Sequence, residues 1–341
     1  MSDPVIALEG LSKVFAARRG RGFGQPSAEV RAVDEVSFAV GRKETLALVG
    51  ESGCGKSTTG RLILRLIEPS AGRILFEGRD IAKASPREMH SIRRHLQIIF
   101  QDPFGSLSPR RTIAEIIAEP MDAQGMIKSD AQRRQMVGEL LERVGLAPEQ
   151  MNRLPRQFSG GQRQRIGIAR AIGVNPSFVV ADEPVSALDV SVQAQIVNLM
   201  QDLQQSQGLS YLFISHDLAV VRHIADRVAV MYLGRIVEEG PKTQIFAAPQ
   251  HPYTQALLSA APEADASKRK QRIILSGDVP SPTDIPSGCA FRTRCPLAQE
   301  ICAAERPPLR EVAPGQRAAC HFAAPNPIPV AAKASVPAPV A

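Results

Sequence analysis

Gly50-Glu51-Ser52-Gly53-Cys54-Gly55-Lys56-Ser57 has the spacing G-x-x-x-x-G-K-S, a pattern suited to gripping a chain of phosphates. A triphosphate needs many N–H donors and close backbone approach, and Gly50, Gly53 and Gly55 leave no Cβ in the way. The amides of residues 53–58, up to Thr58, then form an anion nest at a helix N-terminus. Lys56 places a cation on the β- and γ-phosphates, and the Ser57 hydroxyl ligates Mg²⁺. Glu51, Ser52 and Cys54 belong to the same loop, where Cys54 reads as a small filler rather than a redox switch.

Other polar residues follow apolar runs of strand length. Asp182 ends Ser177-Phe178-Val179-Val180-Ala181 and can hold the Mg²⁺ water shell, while the adjacent Glu183 can orient or deprotonate an attacking water. His216 follows Leu209-Ser210-Tyr211-Leu212-Phe213-Ile214 and can contact the γ-phosphate. Gln101, after Ile98-Ile99-Phe100, is a neutral amide able to touch Mg²⁺ or water. Each of these alone reads as a solvated strand end. In company with a phosphate loop, the functional reading is preferred.

These residues need elements to carry them. Val5-Ile6-Ala7-Leu8, Glu35–Val40 and Thr45–Val49 read as short β segments, with an Arg/Gly-rich loop or insertion over 18–27. From Lys56 onward the apolar residues have helical spacing, so the loop has strand–loop–helix context. Residues 112–150 are helix-like and polar. Apolar strands separated by helices predict a mainly parallel α/β sheet with ligands at its carboxyl edge. After about 262 the chain turns to Pro, Ser and Cys with little periodicity, and the Ala/Pro/Val-rich 323–341 reads as a disordered tail.

The 341 residues suit one large domain plus an extension, and 44% hydrophobic residues with no Trp and 4% aromatics imply an aliphatic core. A formal charge of +7 permits an anionic partner, but the basic residues are scattered, so no nucleic acid is expected. The start lacks a secretory signal, and no stretch approaches the roughly 18 apolar residues of a membrane span, so a cytosolic chain is expected.

Phe158-Ser159-Gly160-Gly161-Gln162 is a Gly-Gly turn that cannot complete the same nucleotide site. The order phosphate loop, Gln101, Ser159–Gln162, Asp182-Glu183, Ser186-Ala187-Leu188-Asp189, His216 resembles the ATP-binding subunit of an ABC transporter, over about residues 5–262. The resemblance implies an α/β, ABC-type P-loop ATPase with a parallel-sheet core, an antiparallel β subdomain and a helical subdomain at about 102–165. It further implies a head-to-tail dimer, in which ATP on Lys56 of one subunit is closed by Ser159, Gly160, Gly161 and Gln162 of the other. Asp189 would lie in the loop between the two sites, and Phe15 stands where the family stacks an aromatic on adenine. Phe158 replaces the family's commoner Leu.

Longer stretches, including Glu183–Ser191 and His251-Pro252-Tyr253-Thr254, are similar to the dipeptide/oligopeptide importer subgroup, which also includes nickel and glutathione systems. The dipeptide-type second ATPase subunit resembles it most. That resemblance implies a bacterial inner-membrane complex with a second ATPase subunit, two permease subunits and an extracytoplasmic binding protein, the membrane being reached only through the permease. The segment around Gln101-Asp102-Pro103-Phe104 is where the family docks on permease helices. A soluble ABC-type ATPase acting on nucleic acid or ribosomes, and a subunit with dead motifs, are the other readings. The first normally carries paired cassettes or a coiled-coil insert, and the intact Lys56, Asp182, Glu183 and His216 oppose the second.

Cys289, Cys295, Cys302 and Cys320 are separated by five, six and seventeen residues, which matches neither a zinc ribbon nor the common ferredoxin run. From residue types they are buried thiols or a metal site. The extension at 263–322 resembles that of the peptide importers, in some of which four such cysteines hold a 4Fe–4S cluster, and this favours iron–sulfur over zinc.

Overall fold

In the computed structural model, which describes residues 3–17, 28–102, 105–260 and 273–323, two sheets carry the fold. The smaller contains β1 (Ile6–Ala17), β2 (Ala28–Val40), β4 (Ala71–Phe76) and β5 (Arg79–Asp80) in the order β2-β1-β4-β5, all antiparallel. The larger contains β3 (Thr45–Val49), β6 (Leu96–Ile99), β7 (Phe178–Asp182), β8 (Ser210–Ser215), β9 (Arg227–Tyr232), β10 (Arg235–Pro241), β11 (Arg310–Ala313) and β12 (Gln316–Ala318). Its order is β11-β12-β10-β9-β3-β8-β7-β6. The run from β9 to β6 is parallel, and β10, β12 and β11 add an antiparallel edge. The α/β architecture with a parallel core and an antiparallel subdomain is therefore borne out.

β3 is apolar on both faces because both are covered, and each of its residues is buried. The helix α1 (Lys56–Ile63) follows it directly. α2 (Pro86–Ile92) leads to β6, and between β6 and β7 lie α3 (Ile113–Ala123), α4 (Asp130–Arg143) and α5 (Gly160–Ile172). α3 starts from a capping box in which Thr112 and Glu115 satisfy each other's backbone amides. Its Ile113, Ile116, Ile117 and Met121 face the same core as Ile166 and Ile172 of α5. α6 (Val190–Gln207) and α7 (Leu218–Ile224) follow β7 and β8, and α8 (Lys242–Ala247), α9 (Pro252–Ser259) and α10 (Glu300–Ala304) complete the helices among the described residues.

Two sequence expectations are corrected. Gly160-Gly161 forms the first turn of α5 rather than a free turn, because Ser159 caps the helix. The region after 262 is not aperiodic throughout: 310–318 holds β11 and β12, too short and polar to stand out in the sequence. β12 becomes a strand by pairing on β10, with Glu238 opposite Ala318 and Glu239 opposite Arg317, and β11 pairs in turn on β12. The Arg/Gly segment 18–27 and the tail beyond 323 lie outside the described residues.

Glu238 of β10 is fully buried. Its Oε1 accepts from the Gln250 amide at 2.8 Å and from Gln316 Nε2 at 2.8 Å, and its Oε2 accepts from the His251 amide at 2.9 Å. Burial pushes this carboxyl up from its ordinary range, and the bonded donors oppose the shift. One carboxylate thus joins β10, the α8–α9 turn and β12. Replacing it leaves three buried N–H donors without a partner, each costing about 1–3 kcal/mol. Glu238→Ala is accordingly expected to lower unfolding free energy by about 2–4 kcal/mol in a urea titration; a loss under about 0.5 kcal/mol, the size of an ordinary surface change, would contradict this account.

Candidate nucleotide site at the carboxyl edge of the sheet

Parallel pairing sets the ends of four strands side by side. Val49 is opposite Ser215, Ile214 is opposite Asp182, and Ala181 is opposite Ile99. The residues that follow each strand, namely the phosphate loop, His216, Glu183 and Gln101, therefore emerge at one edge. Four segments far apart in sequence meet there because hydrogen-bond register leaves them no alternative.

The phosphate loop turns off β3 with Gly50 at φ 152° and reaches α1 through Gly55 at φ 109°. A Cβ at Gly50 would lie 2.2 Å from the Met231 carbonyl oxygen, and one at Gly55 would lie 2.1 Å from that of Ala32. Both positions accept glycine alone. Ser52 and Gly53 are exposed at the loop's crest, while Ser57 and Thr58 stand half-buried in the first turn of α1. Lys56 is buried, and its ammonium donates to the carbonyls of Gly50 at 2.8 Å and Glu51 at 3.0 Å. Cys54 packs into the core with Met231, and burial raises its thiol pKa, as suits a filler and not a reactive thiolate.

Ser57 Oγ donates to Asp182 Oδ1 at 2.7 Å. Burial raises the Asp182 carboxyl, against the Ser57 bond and the nearby Arg61, which lower it. A hydroxyl and a carboxylate side by side, next to a phosphate-binding loop, are hard oxygen donors of the kind Mg²⁺ takes. Glu183 has φ 47°, a left-handed backbone that costs a non-glycine residue about 1–3 kcal/mol. Its amide donates to the Ile214 carbonyl at 3.0 Å, and its Oε2 receives Gln101 Nε2 at 2.9 Å and lies 3.3 Å from His216 Nδ1. The carboxylate is thereby aimed by neighbours from two other strands. Gln101 thus engages Glu183 through its amide nitrogen, leaving the amide oxygen for a cation.

Other predicted residues lie elsewhere. Ser159 and Gln162 satisfy one another, Ser159 Oγ accepting from the Gln162 amide at 3.3 Å and Gln162 Oε1 from the Ser159 amide at 3.0 Å. Ser159 is exposed at the start of α5, and Phe158 behind it is buried in the helical core. Asp189 is exposed at the N-cap of α6 without a side-chain capping bond, beside Val190 at 82% exposure. Phe15 on β1 is 40% exposed, with the Lys13 ammonium 5.1 Å from its ring centre. Pro103 and Phe104 of the docking segment lie outside the described residues.

Of the four C-terminal cysteines, Cys289 and Cys295 pack in one hydrophobic cluster and Cys320 in another, while Cys302 is buried on α10. Burial raises the thiols of Cys289, Cys295 and Cys320, Cys295 to about 12. The Cys289 amide donates to the Cys302 carbonyl at 2.8 Å. Yet among the described residues no three Cys, His, Asp or Glu side chains are placed to hold a metal ion. The described residues thus offer the iron–sulfur expectation no ligand geometry.

Two residues assigned no role from sequence touch the phosphate loop. Tyr253 Oη accepts from the Glu51 amide at 2.8 Å, and Arg294 reaches the Glu51 carboxylate with both terminal nitrogens, at 3.0 and 3.2 Å. The His251–Thr254 tetrad was a visible signal for the first; no spacing pointed to the second, 243 residues away from Glu51.

Among known proteins, the ABC transporter family matches residues 33–186, and the C-terminal region of the oligopeptide/dipeptide transporter family matches residues 237–302. A Brucella ovis protein named as a peptide import ATP-binding protein is 56% identical over 93% of this chain and 97% of its own length. The oligopeptide transport ATP-binding protein AppF of Bacillus subtilis is 51% identical over 94% of this chain and 98% of its own. The ATP-binding cassette MJ0796, solved as a dimer in a post-hydrolysis state with ADP and phosphate, is similar at TM-score 0.61 and 27% identity, covering 70% of this chain and 98% of that one. CbiO1 of Clostridium perfringens, part of the cbiONQ transporter complex, is similar at TM-score 0.62 and 26% identity, covering 72% of this chain and 92% of that one. With a phosphate loop, a paired Asp-Glu and a strand-end histidine gathered at one sheet edge, the chain belongs to the ATP-hydrolysing, ATP-binding proteins of ABC transporters and carries the oligopeptide/dipeptide C-terminal region.

Proposed function

We propose that this chain energises the import of dipeptides or oligopeptides across a bacterial inner membrane as the ATP-hydrolysing subunit of a multi-subunit transporter. The observation that carries the reading is the meeting of Gln101 and His216 on the Glu183 carboxylate, next to the Ser57–Asp182 pair. The import names of the relatives from Brucella ovis and Bacillus subtilis supply the substrate class. No helix among the described residues is long and apolar enough to cross a membrane, which is compatible with a peripheral subunit held at the cytoplasmic face by permease subunits.

In this proposal residues 5–262 form the ATPase domain, with its helical subdomain at about 102–165, and 263–322 an extension. The loop amides and Lys56 bind the phosphates, and Phe15, exposed on β1, stacks on adenine. Ser57, Gln101 and Asp182 would hold Mg²⁺, which would supply positive charge against the phosphates. Glu183 accepts the proton of the attacking water, and His216 holds the γ-phosphate side of that water's path. The Ser159–Gln162 segment, exposed at Ser159, caps ATP bound by a second ATPase subunit, Asp189 crosses between the two sites, and an extracytoplasmic binding protein delivers the peptide. The dimeric state of MJ0796 supports that arrangement.

Glu183→Gln keeps the hydrogen-bonding shape and removes the base. In the assembled transporter it is expected to bind ATP, to lose about 10²–10⁴ in turnover and to stop uptake of labelled dipeptide. Near-normal hydrolysis would remove Glu183 from this role, and undiminished uptake of dipeptide alongside lost uptake of nickel or glutathione would replace the substrate.

A 4Fe–4S cluster on Cys289, Cys295, Cys302 and Cys320 is the finer part of the proposal, and it rests on the likeness of the C-terminal extension to that of the peptide importers. Anaerobically purified protein is expected to contain iron and acid-labile sulfide in about equal amounts, close to four of each per chain; folded protein free of both would refute the cluster.

A further inference from the structure

Glu51 is an unexpected neighbour for a triphosphate, since an unpaired carboxylate there would repel it. Every polar group of this residue is engaged. Its amide donates to Tyr253 Oη at 2.8 Å, and its carbonyl accepts from Lys56 Nζ at 3.0 Å and from the Cys54 amide at 3.3 Å. Its carboxylate takes the two-pronged bond from Arg294. The Arg294 side chain is 9% exposed and that of Glu51 30%, so the pair is partly shielded from water.

Arg294 is itself held firmly. Phe291, three residues earlier, is buried with its ring centre 5.3 Å from that of Tyr232, 5.5 Å from Tyr253 and 5.6 Å from His251. His251 is fixed in turn by the hydrogen bond its backbone amide donates to Glu238 Oε2, and its Nδ1 accepts from the Tyr253 amide at 3.0 Å. A continuous set of contacts runs from the edge of the sheet through α9 and the 289–295 segment to the first variable residue of the phosphate loop. The loop is thus braced from outside the residues that surround it in sequence.

We infer that Arg294 is a positioning residue for ATP binding: it fixes the shape of the phosphate loop through Glu51 and cancels a carboxylate beside the phosphates. The inference rests on Lys56 and its loop being the nucleotide site. Losing the guanidinium frees the loop, which must then be ordered when ATP binds, and uncovers a negative charge. Both effects fall on binding; neither touches the attacking water. The burden therefore appears in KM and not in kcat.

The test uses the full-length chain, titrated with Mg-ATP, and the assembled transporter for turnover. Arg294→Ala is expected to weaken ATP binding about five- to twentyfold and to raise KM alike, with kcat within about twofold of the parent. Arg294→Lys, which keeps the charge but not the fork, should fall between. Adding Glu51→Gln to Arg294→Ala should recover part of the lost affinity, because the exposed carboxylate is then gone. A purely structural arginine would instead lower thermal stability with unchanged ATP affinity in both Arg294 variants, and that result overturns the inference. Lys56→Ala run alongside separates the failures. If it loses ATP while Arg294→Ala does not, the brace alone is wrong; if it too binds normally, the nucleotide reading falls and takes the brace with it.

Discussion

The hydrogen-bond register of the parallel strands is the constraint on which the site depends. Pairing Val49 with Ser215, Ile214 with Asp182 and Ala181 with Ile99 fixes where each strand stops. A shift of one residue in any of them would turn side chains to the opposite face and carry the following polar residue away from its partners. The apolar strands that hold this register, buried on both faces, also exclude water from behind the site. The left-handed backbone at Glu183 shows strain tolerated where the surrounding sheet over-determines the chain, with the Ile214 carbonyl gripping its amide.

A second layer of support comes from the far end of the sequence. β12 completes the antiparallel edge through Glu238 and Glu239, where Gln316 and the Arg317 guanidinium reach those carboxylates at 2.8 and 2.6 Å. The segment that carries the thiols thereby shares a hydrophobic cluster with Tyr232 and Tyr253, under the phosphate loop. The extension is built into the nucleotide-binding body and not merely tethered to it.

The strands around the site were legible because they are short, apolar and end in residues whose chemistry is scarce elsewhere: Lys56, the Asp182-Glu183 pair, His216. β1 and β2 run further than their apolar cores suggest, since antiparallel pairing carries them through polar residues such as Lys13 and Arg31. β11 and β12 were invisible for a related reason, as Arg310-Glu311-Val312-Ala313 has no strand signal until β12, itself paired on β10, offers a ladder. The Arg294–Glu51 pair could not be read from spacing at all, because a bidentate ion pair leaves no periodicity in a sequence. The cysteines stood out as a group, but sequence spacing could not say whether the sulfurs would close into a ligand set, and the fold divides Cys289 and Cys295 from Cys320 between two hydrophobic clusters.

On the proposed reading the Ser159–Gln162 segment acts on ATP held by another subunit: Ser159 is exposed in its own chain, Gly160 to Gln162 are half-buried, and Ser159 and Gln162 satisfy one another. Ser159→Asp tests this most directly. Aspartate caps a helix as well as serine does, so α5 should survive, but a carboxylate then faces the partner's triphosphate. ATP hydrolysis by the assembled transporter, measured against ATP binding by the isolated chain, should fall about a hundredfold or more while binding is unchanged. Undiminished hydrolysis by that variant would contradict a site shared between two subunits.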